Sequence, residues 1–346
     1  MAGIMAQRRK GVGAALDAMA LGQNNGFLPH KDKPVTQPAF VPQGVIPAIV
    51  LPFHDDFSID TQAFAHHVQE VGATPGISAL TINAHSTEVG SCTFDEQREV
   101  LAIARAHTDL PLVNGIYAEG SLEAARLARM ATEGGANALL VFPPGPFTMG
   151  HRPAMVIDHY RRIADASGLP IICFQYSTAS PQSYPWETLQ ALCDAVPQVR
   201  AIKDWIANPQ THQQQITRLQ QRAQPVHVLT THSAWLYPSL AMGCHGLLSG
   251  SGSVIAALQA QLFAAVQAQD ATTAQALHAR ITATADVFYA PPWVDMHNRM
   301  KEALVMQGRL PRAVVRPPLV KIEEAERQRI RQAMVQAGLL PQRLAA

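Results

Sequence analysis

The sequence predicts an α/β chain folded as a (β/α)8 TIM barrel with a C-terminal helical extension. Three observations carry that expectation. Short apolar runs recur at near-even spacing between residues 45 and 249. They are continuous rather than alternating, as parallel strands covered on both faces are. Amphipathic helical stretches separate them, and strand–helix alternation repeated to about eight units is the pattern of a closed parallel barrel. A doubly wound open sheet is the alternative, but open sheets usually carry fewer such units.

The strand candidates are Val45–Leu51, Ile77–Asn83, Leu112–Gly115, Ala138–Phe142, Ile171–Phe174, Val199–Lys203, Val226–Thr230 and Gly246–Ser249. Among the helical stretches, Asp60–Val71 opens on an aspartate and stops before Gly72. Asp95–His107 sets Glu96, Arg98 and Glu99 against Val100, Leu101 and Ile103. Ser121–Glu133 runs from a predicted serine N-cap to Gly134-Gly135. Beyond the last strand the pattern is all-helical: Ser253–Gln269, Ala271–Phe288, Trp293–Gln307 and Ile322–Ala337, with breaks at Pro291-Pro292 and Pro317-Pro318. The chain thus divides into an N-terminal tail (1–43), a barrel (44–269) and an extension (270–346).

The 346 residues are 47% hydrophobic and 15% charged, which fits a large core, and the net charge of +1 gives no field for nucleic acid or an anionic membrane. No apolar run reaches the roughly 18 residues of a spanning helix. Cys92, Cys173, Cys193 and Cys244 are scattered with no CxxC pair, which points to a reducing cytoplasm. The tail carries Gln7-Arg8-Arg9-Lys10 and then a mildly apolar stretch broken by Asp17. It lacks the apolar core and cleavage site of an export signal, and reads as a flexible or docking segment with at most a short helix.

In such barrels chemistry sits at the C-terminal ends of the strands. Lys203 ends the sixth run and is the only lysine at any of these mouths. Burying an ammonium is costly unless it is paired or neutralised. Two readings are open. Lys203 is an edge lysine paired with Asp204, or it is a lysine whose pKa is depressed so that the neutral amine attacks a carbonyl. Asn83-Ala84-His85-Ser86-Thr87-Glu88 follows the second run; its hydroxyls and amides either hold a carboxylate or cap the turn, and Glu88 is read as tying down the loop. Ser249-Gly250-Ser251-Gly252-Ser253 follows the eighth run, where phosphate sites form in barrels, but a tight turn with a serine N-cap explains it as well. GxGxxG, GxxxxGK, HExxH and GxSxG are all absent. His85, His232 and His245 are the only candidate metal set, and a weak one, so no metal is expected.

The chain resembles the dihydrodipicolinate synthase / N-acetylneuraminate lyase family. Gly44-Val45-Ile46-Pro47-Ala48-Ile49-Val50-Leu51-Pro52-Phe53 looks like that family's opening strand, with Phe57-Ser58-Ile59-Asp60 as the turn after it. Asn83 to Glu88, with Thr93-Phe94-Asp95-Glu96-Gln97-Arg98, matches its GTTGE loop and the helix start beyond. Ala201-Ile202-Lys203-Asp204 matches its lysine strand. Gly243-Cys244-His245-Gly246-Leu247-Leu248-Ser249 and Arg316-Pro317-Pro318-Leu319 resemble its later motifs. The resemblance spans roughly residues 44 to 340. It implies a class I lyase that forms an imine between Lys203 and pyruvate or another 2-keto acid, with no cofactor beyond that imine, assembled as a homotetramer.

The departures matter as much. Ala84-His85-Ser86-Thr87-Glu88 stands where the family has GTTGE, so His85 and Ser86 replace the threonines that grip the keto-acid carboxylate. Phe174-Gln175-Tyr176-Ser177 stands where the family has Tyr-Asn-x-Pro, so Phe174 replaces the proton-shuttling tyrosine. A phenyl ring carries no proton, and acid–base assistance is typically worth about 10²–10⁴-fold. The neighbouring-subunit tyrosine after strand four is absent, and the arginine for a second carboxylate falls near Ala179. Lysine-biosynthetic condensation is therefore not expected. One reading is a lyase with rewired proton transfer, in which His85, and after it Tyr176, replaces the tyrosine. Phe174, Tyr176 and Trp205 then form an apolar pocket for a bulkier keto acid, with Ser86, Thr87, Leu248 and Ser249 as further substrate contacts. The other is a non-catalytic or regulatory keto-acid-binding protein.

Overall fold

The computed structural model describes residues 40–342. Residues 1–39 of the predicted tail, with its basic run, lie outside the described residues. Eight parallel strands form one sheet: β1 (Gly44–Pro47), β2 (Leu80–Ile82), β3 (Leu112–Ile116), β4 (Ala138–Val141), β5 (Ile171–Gln175), β6 (Val199–Asp204), β7 (His227–Thr230) and β8 (Gly246–Ser249). Its order is β1-β8-β7-β6-β5-β4-β3-β2, and single bridges Val45↔Ile77 and Ala48↔Thr81 bring β1 alongside β2. The barrel expected from the sequence is therefore the fold, with strands one and two shorter than their apolar runs.

Helices α1 (Thr61–Gly72), α2 (Phe94–His107), α3 (Ser121–Glu133), α4 (Pro153–Ser167), α5 (Trp186–Ala195), α6 (Pro209–Gln220), α7 (Leu236–Ala241) and α8 (Gly252–Gln267) surround the strands. The starts of α1 and α2 follow their sequence signals. Asp60 accepts from the Ala63 amide, and Thr93 and Glu96 form a reciprocal capping box. Two serine caps do not form. Gly120 is the N-cap of α3, and Ser121 lies inside the helix, where its hydroxyl meets His159 Nδ1 at 2.9 Å. Ser253 lies inside α8; its hydroxyl accepts from the Val50 amide at 3.0 Å and meets His67 Nε2 at 2.7 Å. In both places a long-range partner outcompetes the local cap.

The side chains divide into two apolar layers. One, between strands and helices, includes Val45, Leu80, Val141, Ile202 and Leu247. The other fills the barrel, with Ile46, Val113, Leu140, Ile172, Ala201, Leu229 and Leu248. This alternation follows from the two-residue period of a strand. Phe40 packs on the inner layer, and the Pro42 carbonyl accepts from His227 Nδ1 at 3.0 Å.

Three helices follow α8: α9 (Ala271–Phe288), α10 (Met296–Met306) and α11 (Glu324–Gln336). A 3-10 turn, Trp293–Asp295, occupies the start of the third predicted helical stretch. Arg299 is fully buried and anchors the turn before it, with Nη1 donating to the Phe288 and Ala290 carbonyls and Nε pairing with Glu326. No helix among the described residues is long and apolar enough to cross a membrane.

Candidate active site

The strand period decides where Lys203 and its neighbour go. Ala201 faces the barrel interior, so Lys203, two residues on, faces it as well. Ile202 and Asp204 face the helices. Asp204 Oδ2 accepts from His212 Nδ1 on α6 at 2.5 Å, and Oδ1 accepts from the Ile206 amide at 2.8 Å. His212 Nε2 in turn meets the Ser239 hydroxyl of α7 at 2.6 Å. The edge pair between Lys203 and Asp204, one of the two sequence readings, does not exist. The two side chains leave opposite faces of β6.

Lys203 is 7% exposed and stands between Phe174 of β5 and Leu229 of β7. Its Nζ lies 4.7 Å from the centre of the Phe174 ring. Burial alone pulls its pKa from 10.5 down to about 7. A lysine so placed is neutral in a large fraction of molecules near pH 7 and can act as a nucleophile.

Lys203 opens into a cavity of about 290 Å³ at the C-terminal mouth of the barrel. His85, Ser86, Phe174 and Trp205 line it, as the sequence reading grouped them. Among the described residues no aspartate or glutamate does. His85 rests on Phe142 with ring centres 4.3 Å apart and stands edge-on to Phe174 at 5.9 Å. Burial, and after it the charge of Lys203, pushes its pKa down to about 3, so the imidazole is neutral across the physiological range. The Ser86 hydroxyl is buried and has no hydrogen-bond partner among the described residues. Ser86 thus lines the same cavity as Lys203 with a hydroxyl that no other described residue engages.

The other predicted contacts sit off the cavity wall. The Thr87 hydroxyl donates to the Ala84 carbonyl at 2.8 Å and closes the 3-10 turn His85–Thr87, so it caps rather than binds. Tyr176 packs behind the wall on Phe174 and Trp205, at 4.5 and 6.0 Å. Leu248 belongs to the apolar layer inside the barrel. Ser249 spends its hydroxyl on Ser251 at 3.0 Å and on Ser233 at 3.4 Å. His232 lines the cavity, with Nε2 accepting from the Ala207 amide at 2.9 Å. His245 precedes β8 and therefore lies at the opposite end of the barrel, stacked on His227 at 4.0 Å. Among the described residues no three His, Cys, Asp or Glu side chains gather as a ligand set.

The sequence reading missed the cavity's far wall. Tyr289, Trp293, Met296 and His297 all come from the extension, which folds back over the barrel mouth. Trp293 stands edge-on to Trp205 at 5.4 Å. His297 is buried, and its pKa is driven well below the ordinary value by desolvation and then by His85 and Lys203. It approaches Gly250 so closely that a Cβ there would stand 2.9 Å from its Nε2, so a side chain at that position would require the imidazole to shift. Aromatic residues flanking Pro291-Pro292, the break that starts this segment, were the available signal.

The extension is fastened to the loop after β2 by a second buried lysine. Lys301 pairs with Glu88 Oε1 and donates to the Val314 carbonyl at 2.8 Å. Glu88 Oε2 accepts from the Arg316 amide at 2.9 Å, and Arg316 also pairs with Glu96. Lys301 and Arg316 both lie over the Phe53 ring. Glu88 therefore ties down the loop that presents His85 and Ser86, as read from the sequence.

The chain matches the sequence model of the dihydrodipicolinate synthetase family over residues 41–337. A 4-hydroxy-tetrahydrodipicolinate synthase from Maridesulfovibrio salexigens is 27% identical over 301 residues, 86% of this chain and 99% of that protein. One from Haloarcula marismortui is 28% identical over 84% of this chain and 92% of its own length. Among solved structures, YagE is a prophage protein of the dihydrodipicolinic acid synthase family from E. coli K12, crystallised with pyruvate. It superposes with a TM-score of 0.80 at 21% identity, covering 86% of this chain and 99% of its own.

Proposed function

The chain belongs to the dihydrodipicolinate synthetase family, and we propose that it is a Schiff-base lyase acting on a 2-keto acid through Lys203. One observation carries the reading: a buried lysine without a carboxylate partner, in a cavity that no acid lines. The keto acid brings the missing anion. Its carboxylate meets the Ser86 hydroxyl, and its C2 carbonyl meets the neutral Nζ. Attack gives a carbinolamine, its hydroxyl takes a proton and leaves as water to give the protonated imine, and that imine withdraws electrons from the adjacent carbon so that a bond there is made or broken.

Phe174 supplies no proton, so the transfers fall to His85 and to water. Neutral His85 accepts a proton only weakly, which suits it to orienting water or substrate more than to storing charge. Trp205, Trp293 and Met296 form the distal wall, and Lys203 is the only lysine or arginine among the described residues of the lining. This favours a keto acid or aldehyde with an apolar or aromatic tail over one with a second carboxylate. The missing tyrosine supports a second reading, a keto-acid-binding protein without turnover.

Borohydride trapping tests the proposal. The protein is incubated with pyruvate and a panel of 2-keto acids carrying apolar or acidic tails, reduced, and mapped by peptide mass. An adduct on Lys203, stronger with apolar tails, is expected. No adduct with any of them overturns the imine chemistry. An adduct without turnover across a broad aldehyde panel selects the binding protein.

A further inference from the structure

Imine chemistry at Lys203 needs a group that gives up a proton and takes it back. The histidines of the cavity suit this poorly. Burial holds His85 down to about 3. It holds His232 down to about 4, and Nε2 of that ring is committed to the Ala207 amide. Aliphatic hydroxyls are weaker acids than a phenol. Tyr176 carries a phenol, but it packs behind the wall.

Among the described residues of the lining, Tyr289 is the one tyrosine. It is the C-cap of α9 and reaches the end of β8. Its hydroxyl oxygen accepts from the Ser251 amide at 3.2 Å and meets Ser249 Oγ at 3.5 Å. Those two residues flank Gly250, which itself lines the cavity, so the phenol oxygen is pinned at the wall. The amide contact occupies a lone pair and leaves the O–H proton out of it. The Ser249 contact is longer than a good O–H···O bond, so nothing there holds that proton firmly. A backbone N–H aimed at the oxygen also stabilises the phenolate once the proton has gone.

We propose that Tyr289, supplied by the C-terminal extension, is the proton source and sink of the Lys203 imine cycle. This rests on the imine reading of Lys203. The phenol gives its proton, by way of cavity water, to the carbinolamine hydroxyl. The C–O bond breaks, water leaves, and the nitrogen lone pair forms the C=N bond. A cationic imine and a phenolate remain, a neutral pair in a cavity where no described carboxylate could balance the charge. The phenolate then takes back a proton from C3 by the same route. The C–H electron pair becomes the C2=C3 bond, the C=N pair returns to nitrogen, and the phenol is restored beside a neutral enamine.

The test follows exchange of the pyruvate methyl protons for deuterium in D2O by proton NMR, using the full chain, beside borohydride trapping at saturating pyruvate. Enamine formation exchanges those protons without a second substrate. The wild type is expected to form the Lys203 adduct and to exchange. Tyr289→Phe, given time to equilibrate, is expected to form the adduct and to exchange about 10²-fold more slowly. A fluorinated tyrosine in place of Tyr289 keeps the shape and makes the phenol more acidic. The alkaline fall of the exchange rate, where the phenol is ionised before it can donate, then moves to lower pH. That variant decides the matter if Tyr289→Phe fails to fold. Exchange by Tyr289→Phe at the wild-type rate overturns the proposal and leaves the imine reading standing. So does an alkaline fall that fluorination does not move, or a wild type that forms the adduct without exchange. No adduct in the wild type overturns both.

Discussion

Two buried lysines of this chain sit in opposite circumstances. Lys301, fully buried, meets the Glu88 carboxylate, a backbone carbonyl and the face of Phe53. Lys203, almost as buried, meets an aromatic ring and opens into a cavity. Desolvation lowers the pKa of both, but at Lys301 the neighbouring Glu88 works against it, whereas at Lys203 nothing does. The comparison separates a structural lysine from a reactive one by the partner and not by the burial. A paired charge holds two elements together. An unpaired one is a standing cost that folding tolerates where function uses it.

Substitution at each lysine sharpens the contrast. Lys203→Met should abolish borohydride trapping while raising stability at neutral pH by on the order of 2–4 kcal/mol, the size set by a pKa shift of this kind. The direction follows from proton linkage. The unfolded lysine keeps its proton up to 10.5, whereas the folded one releases it from about 7. Wild-type stability therefore rises with pH through that window, and the gain from Lys203→Met is full below 7 and fades toward 10.5. Denaturant melts of both proteins at several pH values measure this; a variant less stable than wild type at pH 7 breaks the comparison. Lys301→Met should do the reverse, costing about 3–5 kcal/mol by leaving Glu88 buried and alone. The double change Lys301→Met with Glu88→Leu should recover much of that loss.

Smaller effects probe the groups around Lys203. His85→Gln should lower turnover about 10²-fold while leaving the Lys203 adduct intact, because it disturbs the group that orients water or substrate for proton transfer and not the nucleophile. Unchanged turnover would dismiss His85 as the substitute for the missing hydroxyl. Ser86→Ala should weaken keto-acid binding by roughly tenfold, measured by the concentration dependence of trapping, since one charge-assisted hydrogen bond is lost. Thr87→Val should leave that dependence nearly unchanged, as its hydroxyl belongs to the turn.

The barrel was legible in the sequence because parallel strands buried on both faces read as unbroken apolar runs, and a lysine ending such a run stands out. The Lys203–Asp204 pair, kept open in the sequence reading, is what a two-residue period argues against, since adjacent strand side chains leave opposite faces. The division of labour between Ser86 and Thr87 was not. Adjacent hydroxyls differ here only in how a single 3-10 turn aims them. The far wall of the cavity was also hidden. Tyr289, Trp293 and His297 reach the mouth by folding back from helices whose own pattern records burial but not against what. Lys301 was lost for the same reason: its partner lies in a loop more than half the chain away.

The most direct test of the central claim is the pH dependence of the trapping rate at Lys203, with imine formation kept rate-limiting. The account predicts a rate that rises with pH to a midpoint near 7, with the label confined to Lys203 and absent from Lys301. A midpoint near the ordinary lysine value of 10.5, or a label distributed over other lysines, would contradict it.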